Sequence, residues 1–246
     1  MSMKNQIEQL IVEKVALLNR PDLFRRPIVS FSSATDSRYS ELKEIIGPWH
    51  LNPTELLPDA QSVISYFVPF TSLVVAEPKT VDGGSEAWGE AYAIINPYFN
   101  DVNQAVIQYL SDLGYSASAV QATHTYDPKD MKSMWSHRSA AAIAGLGTFG
   151  ANRMLITEKG SGGRFCSVLT SATLHEEQTP AETRCLYVKN GSCGLCFKIC
   201  PVNALVPDSF DKFICQDECN KNQKQDRHGA DTCGKCISIC PVAYID

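Results

Sequence analysis

Nine of the ten cysteines in this 246-residue chain lie between Cys185 and Cys240. Cysteines packed this densely serve either as a disulfide framework or as metal ligands. The opening segment, MSMKNQIEQLIVEK, carries acidic residues inside its apolar pattern and no small-residue cleavage site, so it does not read as an export signal. No apolar run approaches the roughly 18 residues that span a bilayer. Both readings point to the cytoplasm, without a membrane partner. Structural disulfides are uncommon there, and clustered cysteines are more often metal ligands.

The spacing narrows the metal. Cys193-Gly-Leu-Cys196-Phe-Lys-Ile-Cys200-Pro201-Val202 is echoed by Cys233-Gly-Lys-Cys236-Ile-Ser-Ile-Cys240-Pro241-Val242, identical at seven of ten positions. A bacterial ferredoxin run is C-x2-C-x2-C-x3-C-P, and its fourth cysteine ligates the other of two clusters. Each half here keeps the last three cysteines, so the missing one must come from upstream. Cys185 serves the first half, and Cys215 or Cys219 the second. Crossed wiring then predicts two [4Fe–4S] clusters. One takes Cys185, Cys193, Cys196 and Cys240. The other takes Cys200, Cys233, Cys236 and one of Cys215 or Cys219, with Cys215 favoured by its apolar neighbours Phe213 and Ile214. Gly194 and Gly234 would let backbone approach the sulfurs. A zinc site built from Cys193, Cys196, Cys233 and Cys236 would leave Cys200, Cys240 and both prolines unexplained. Cys166, in the strand pattern FCSVLTSATL, reads as a packed core thiol.

The rest of the chain has ordinary globular composition, 44% hydrophobic and 20% charged. Its net charge of −5 gives no footprint of a nucleic-acid partner. Apolar periodicity predicts helices over 4–18, 36–46, 86–113 and 130–144, with Pro97 breaking or kinking the third. Strands are expected at 27–32, 62–70, 116–123, 154–157 and 165–173. The turn 159–163 would make a hairpin of the last two. This is an α+β or three-layer α/β body over residues 1–178. A polar linker around 176–184 leads to a cysteine module over 179–246.

Gly145-Leu-Gly147-Thr-Phe-Gly150 matches G-x-G-x-x-G, but a dinucleotide site needs a strand before it and a helix after it. Here the predicted order is reversed. The glycines read instead as a tight turn bringing backbone close to another segment or to a bound cofactor. Just upstream, His137 is a candidate proton donor or cofactor contact, and Arg138 a partner for a phosphate or amide. Both equally suit structural roles. Tyr66, Tyr92 and Tyr98 are candidate pocket walls or core. His124, Tyr126 and Asp127 form a polar cluster expected to loop over a pocket mouth.

The segments Asn52-Pro53 through Pro58-Asp-Ala-Gln-Ser-Val-Ile64, Ala144-Gly-Leu-Gly147-Thr-Phe-Gly150-Ala-Asn152, Leu155-Ile156 and the double-cluster tail together resemble the epoxyqueuosine reductase family. The tail alone is also similar to that of reductive dehalogenases. The resemblance implies a nitroreductase-like body that binds cobalamin, followed by a two-cluster ferredoxin-like domain. It also implies an electron donor such as a ferredoxin or flavodoxin, and a cofactor-contacting turn including Asn152. The family's catalytic acid would fall near Met131, which makes Asp130 the candidate proton donor. The tRNA-modifying members continue into a helical-repeat region, whereas this chain stops six residues after Cys240, so tRNA is not an expected partner. Two functions follow: a reductase passing electrons through two clusters to a corrinoid or other cofactor, or an electron-transfer protein serving a separate enzyme.

Overall fold

Every residue of the segment Ser62–Pro69 is buried. A strand with no exposed face must lie inside a sheet covered on both sides, and this strand organises the chain. The computed structural model describes residues 2–121, 126–127, 129–175 and 181–246. In chain order its elements are α1 (Met3–Ala16), β1 (Ile28–Ser33), α2 (Ser37–Ile45), α3 (Pro53–Leu56), β2 (Ser62–Pro69), α4 (Ser72–Ala76) and α5 (Glu86–Asp112). They continue with β3 (Ala117–Ala119), β4 (Tyr126–Asp127), β5 (Lys132–Ser133), α6 (His137–Ile143), β6 (Gly147–Phe149), β7 (Leu155–Thr157) and β8 (Gly163–Thr170). The cysteine-rich part holds α7 (Leu186–Asn190), α8 (Leu195–Lys198), β9 (Leu205–Val206), β10 (Ser209–Phe210), α9 (Lys212–Gln223) and α10 (Lys235–Ser238).

The main sheet is antiparallel with order β1-β2-β8-β3. Strand alternation sorts its side chains between two layers. Ile64, Tyr66, Val68, Cys166 and Val168 join the cluster that holds α1 and α5. Val63, Phe67 and Phe165 face the other way, onto clusters containing residues of α6. Helices therefore cover both faces. Cys166 is a fully buried core thiol that accepts from Asn103 Nδ2 at 3.3 Å.

Helix α5 runs through Pro97 without the break that was one of the two outcomes expected there. Ile95, Phe99, Val102, Val106 and Leu110 are all fully buried along one stripe. Burying five such side chains contributes roughly 7–15 kcal/mol, against about 3 kcal/mol for an interior proline.

Two other expectations fail. The helix expected over 130–144 begins only at His137, because Ser136 caps it, its Oγ accepting from the Ser139 N–H at 3.2 Å. The residues before it form a turn and β5, with Met131 at φ 50°. The 154–157 and 165–173 strands do not pair as a hairpin. Strand β7 pairs with β6, and β8 with β2 and β3. The intervening turn is engaged elsewhere: the N–H groups of Ser161 and Gly162 donate to Ala243 O at 3.0 and 2.9 Å. The cysteine-rich part is thereby joined to the body. Ile237 and Ala243 belong to the same apolar cluster as α1 and α5. The buried Lys235 ammonium donates to Pro78 O at 3.0 Å and to Val81 O.

Candidate functional site

Two features adjoin: a cysteine-lined pocket and a cleft of about 1240 Å³. Cys185, Cys193, Cys196 and Cys240 line one pocket, together with Ala151 and Asn152. Burial pushes the Cys196 thiol up to about 11, and the neighbouring sulfurs of Cys240, Cys185 and Cys193 push in the same direction. The Cys236 thiol rises to about 12, first through burial and then through Cys233, Cys215, Cys196 and Cys200. The sulfurs thus fall into two neighbourhoods that touch through Cys196 and Cys236. A zinc ion held by Cys193, Cys196, Cys233 and Cys236 would have to draw from both. Among the described residues, no three His, Cys, Asp or Glu side chains group around a single ion. Sulfur-only sets of four suit iron–sulfur cubanes.

Cys215 and Cys219 sit one turn apart on α9, and each acting on the other holds the Cys215 thiol low and the Cys219 thiol high. Gly234, at φ 71°, stands where a Cβ would lie 3.2 Å from Pro78 and 3.3 Å from Trp88, so no larger residue suits this loop between Cys233 and Cys236.

The glycine turn stands between the two features. Gly145 ends α6 at φ 81°. A Cβ on Gly147 would lie 2.2 Å from Ile156 O. That glycine serves the close pairing of β6 with β7, the approach of backbone to another segment that the glycine turn was expected to allow. Gly150 lines the cleft. Ala151 N–H donates to Cys185 Sγ at 3.4 Å, and Asn152 Nδ2 to Cys236 O at 3.2 Å. Ala151 and Tyr187 line both the cleft and the cysteine pocket. Thr232 and Gly234, which flank Cys233, also line the cleft.

The cleft is basic. Arg38, Arg138, Arg153, Arg164 and Lys212 line it against Glu41 and Asp231. Arg138 opens onto the cleft and donates to Arg153 O at 3.1 Å and Met154 Sδ at 3.0 Å. Dense surroundings, with Arg164 as a like charge, push its pKa down. Arg164 donates to Asn96 Oδ1 at 2.9 Å and lies 4.6 Å over the Tyr92 ring. Among the described residues neither arginine has a carboxylate within 4.0 Å. Burial raises the Tyr92 phenol to about 12, with Asp231 pushing the same way, so it keeps its proton at neutral pH.

Two candidate acids do not fit that role. Asp130 is absent from the cleft lining. Its carboxylate pairs with Lys132 at 2.6 Å, and the bond to Lys132 lowers its pKa, so it is ionised. It sits in the turn before β5 rather than on a helix aimed inward. His137 does line the cleft, but burial drops its pKa to about 4. Neutral at pH 7, it donates from Nε2 to Gln121 O at 3.3 Å, which leaves Nδ1 to accept from Ser167 Oγ at 2.7 Å. Ser167 in turn accepts from Trp135 Nε1 at 2.9 Å. His137 is therefore a structural member of a buried relay. Tyr66 and Tyr98 are spent elsewhere, donating to Asn103 Oδ1 and Lys14 O. His124 lies outside the described residues, while Tyr126 lines the cleft.

No protein-family model matches the chain. A structure of a selenomethionine-labelled epoxyqueuosine reductase superposes with TM-score 0.60 at 20% identity, over 96% of this chain and 66% of that one. A second, from Bacillus subtilis, gives 0.59 at 19%, with the same coverage. The fold is that of the epoxyqueuosine reductases. In sequence the chain is similar to the epoxyqueuosine reductase of Lactococcus garvieae, 24% identical over 219 residues, which cover 84% of this chain and 57% of that protein. The chain thus spans about three-fifths of that relative's length. The reductase fold extends further: the catabolic reductive dehalogenase NpRdhA, solved with 3-bromo-4-hydroxybenzoic acid, matches with TM-score 0.61 at 15% identity, over 89% of this chain and 30% of that one.

Three polar residues in and around this site escaped sequence reasoning. Arg164 is an arginine inside an otherwise apolar strand, which was a readable signal. Ser167 and Lys235 carried none, since each has a polar partner distant in sequence.

Proposed function

We propose that this chain is a reductase that carries two [4Fe–4S] clusters and a corrinoid. In this reading residues 1–178 form a nitroreductase-like body and 179–246 a ferredoxin-like cluster domain. Cys185, Cys193, Cys196 and Cys240 hold one cluster; Cys200, Cys215, Cys233 and Cys236 hold the other. When bound, the clusters supply one-electron relay and the corrinoid's cobalt supplies the reductive chemistry. The observation carrying this reading is the wall that Ala151 and Tyr187 share between the cysteine pocket and the cleft. A bare electron carrier has no use for a cleft of about 1240 Å³, larger than the roughly 300–1,000 Å³ of ordinary small-molecule sites.

The chain's own residues have separable tasks. Trp88, Trp135 and Tyr187 wall the cleft against water. Arg138 and Arg164 favour a ligand group carrying negative charge there. With Asp130 ionised outside the cleft and His137 neutral, the Tyr92 hydroxyl holds the proton that a reductive step would need.

The test is anaerobic purification with cluster reconstitution, followed by cobalamin titration. About eight irons and eight sulfides per chain, with a spectral change on adding cobalamin, is the expected result. Full clusters without a cobalamin response would favour the electron-carrier reading. Zinc without sulfide would overturn both.

A further inference from the structure

The cations lining the cleft are not equivalent. Arg38 is held by Asp36 at 2.7 Å, and Lys212 donates to Asp130 O at 2.6 Å. Arg164 has no such partner. We infer that its guanidinium, with that of Arg138, forms an anion-binding subsite, and that the molecule reduced in this cleft carries a carboxylate or phosphate group. The subsite stands on geometry alone; the word reduced rests on the reading above.

Three observations support it. First, Arg164 is the one residue of β8 that is not buried. It pairs with Val68, on the sheet face turned towards α5. A guanidinium drawn partly out of water in such a strand is costly unless its charge is matched. Second, its plane is fixed from two sides. Asn96 Oδ1 accepts from Nε at 2.9 Å, and the Tyr92 ring covers one face at 4.6 Å. Among the described residues Nη1 and Nη2 have no hydrogen-bond acceptor. Arg138 commits only Nη1, to Arg153 O and Met154 Sδ. Third, Asn96 is 8% exposed, and its Nδ2 has no partner among the described residues. The nearby carboxylates do not compensate. Glu41 and Asp231 line the cleft, yet neither lies within 4.0 Å of Arg138 or Arg164. Asp231 instead accepts from Gln216 Nε2 at 3.3 Å.

The chemistry follows from this surplus of donors. A carboxylate or phosphate offers two oxygens that match the Nη1–Nη2 fork. The fork is already held in place, so little ordering is lost on binding. A neutral analogue would leave charged donors unpaired and bind more weakly. Because Tyr92 lies against the same guanidinium, an anion held there brings the rest of its molecule beside that ring.

The experiment uses the full chain with reconstituted clusters and isothermal titration with inorganic phosphate, benzoate and benzamide. Phosphate and benzoate should bind, and benzamide at least about tenfold more weakly. Arg164→Gln should weaken both anions by roughly 10–100-fold, the worth of a charge-assisted hydrogen bond, with iron content unchanged. Asn96→Asp, which sets a carboxylate on Arg164 and leaves the arginine in place, should do the same. Equal binding of benzoate and benzamide, or unaltered anion binding in Asn96→Asp, would overturn the inference. Repeating the titrations with cobalamin, and with cobinamide, which lacks the phosphate-bearing tail, separates the two sources of the anion. Anion binding that persists beside both supports a substrate group. Loss beside cobalamin alone would assign the subsite to the corrinoid's own phosphate and overturn the inference. Absence of any corrinoid binding would be a failure of the reductase reading, seen while the phosphate and benzoate titrations still report on the subsite.

Discussion

Replacing Ser167 by alanine removes one hydroxyl from the middle of a buried relay. Its Oγ lies 2.9 Å from Trp135 Nε1 and 2.7 Å from His137 Nδ1. Ser167 is 0% exposed, Trp135 4% and His137 9%, so water cannot stand in. Trp135 cannot swing towards another acceptor, because Tyr39 and His50 stack on it at 5.8 and 5.7 Å. The indole N–H would be left without a partner at a cost of about 1–3 kcal/mol, and the imidazole would lose a hydrogen bond worth about 1 kcal/mol. A sum of roughly 2–4 kcal/mol corresponds to a fall in Tm of roughly 4–16 °C for a chain of this size. Thermal unfolding of matched anaerobic preparations, followed by circular dichroism, reads this directly. A fall smaller than about 2 °C would refute the relay, because it would mean that the indole finds another acceptor or never used this one.

Three further outcomes can be checked. His137 is neutral in the folded protein, with its pKa depressed from 6.5 to about 4. The unfolded chain therefore binds more protons between those values, and stability is present above about pH 6.5 and falls by about 3 kcal/mol as pH drops towards 4. Denaturant titrations at a series of pH values should show this slope, and His137→Gln should flatten it. Gly147→Ala drives a methyl group against Ile156 O and should cost about 1–3 kcal/mol through overpacking, with lowered iron retention because the turn that meets Cys185 moves. Tyr92→Phe should slow substrate reduction by roughly 10²–10⁴-fold, the usual contribution of a positioned acid, while iron content and cobalamin absorption stay unchanged; an unchanged rate would remove Tyr92 as the proton source.

Much of this molecule was legible in its residues because local rules and tertiary packing agree there. Helix α1 and strand β2 follow from apolar period and length. The failures occur where tertiary contacts override local pattern. Pro97 reads as a break, yet the buried stripe on α5 outweighs it. The 159–163 turn reads as a hairpin, yet its backbone donors serve Ala243, which no local pattern announces. The start of α6 was readable after all: Ser136 followed three residues later by Ser139 is a capping arrangement, and the apolar run around Met131 and Met134 obscured it. Asp130 was a candidate only because the resembled family's acid would fall near Met131, and the fold puts that position in a turn where the carboxylate pairs with Lys132.

The short turn at Ala151–Asn152 touches three places at once: the Cys185 sulfur, the carbonyl of Cys236 and the cleft wall. Mechanically it is a rigid link among three bodies, clamped behind by Gly147 against Ile156. A displacement of a few tenths of an ångström at either sulfur set cannot be absorbed locally, so it must reappear as a change in the shape of the cleft. Occupancy of the cleft must press back on both sulfur sets through the same two residues.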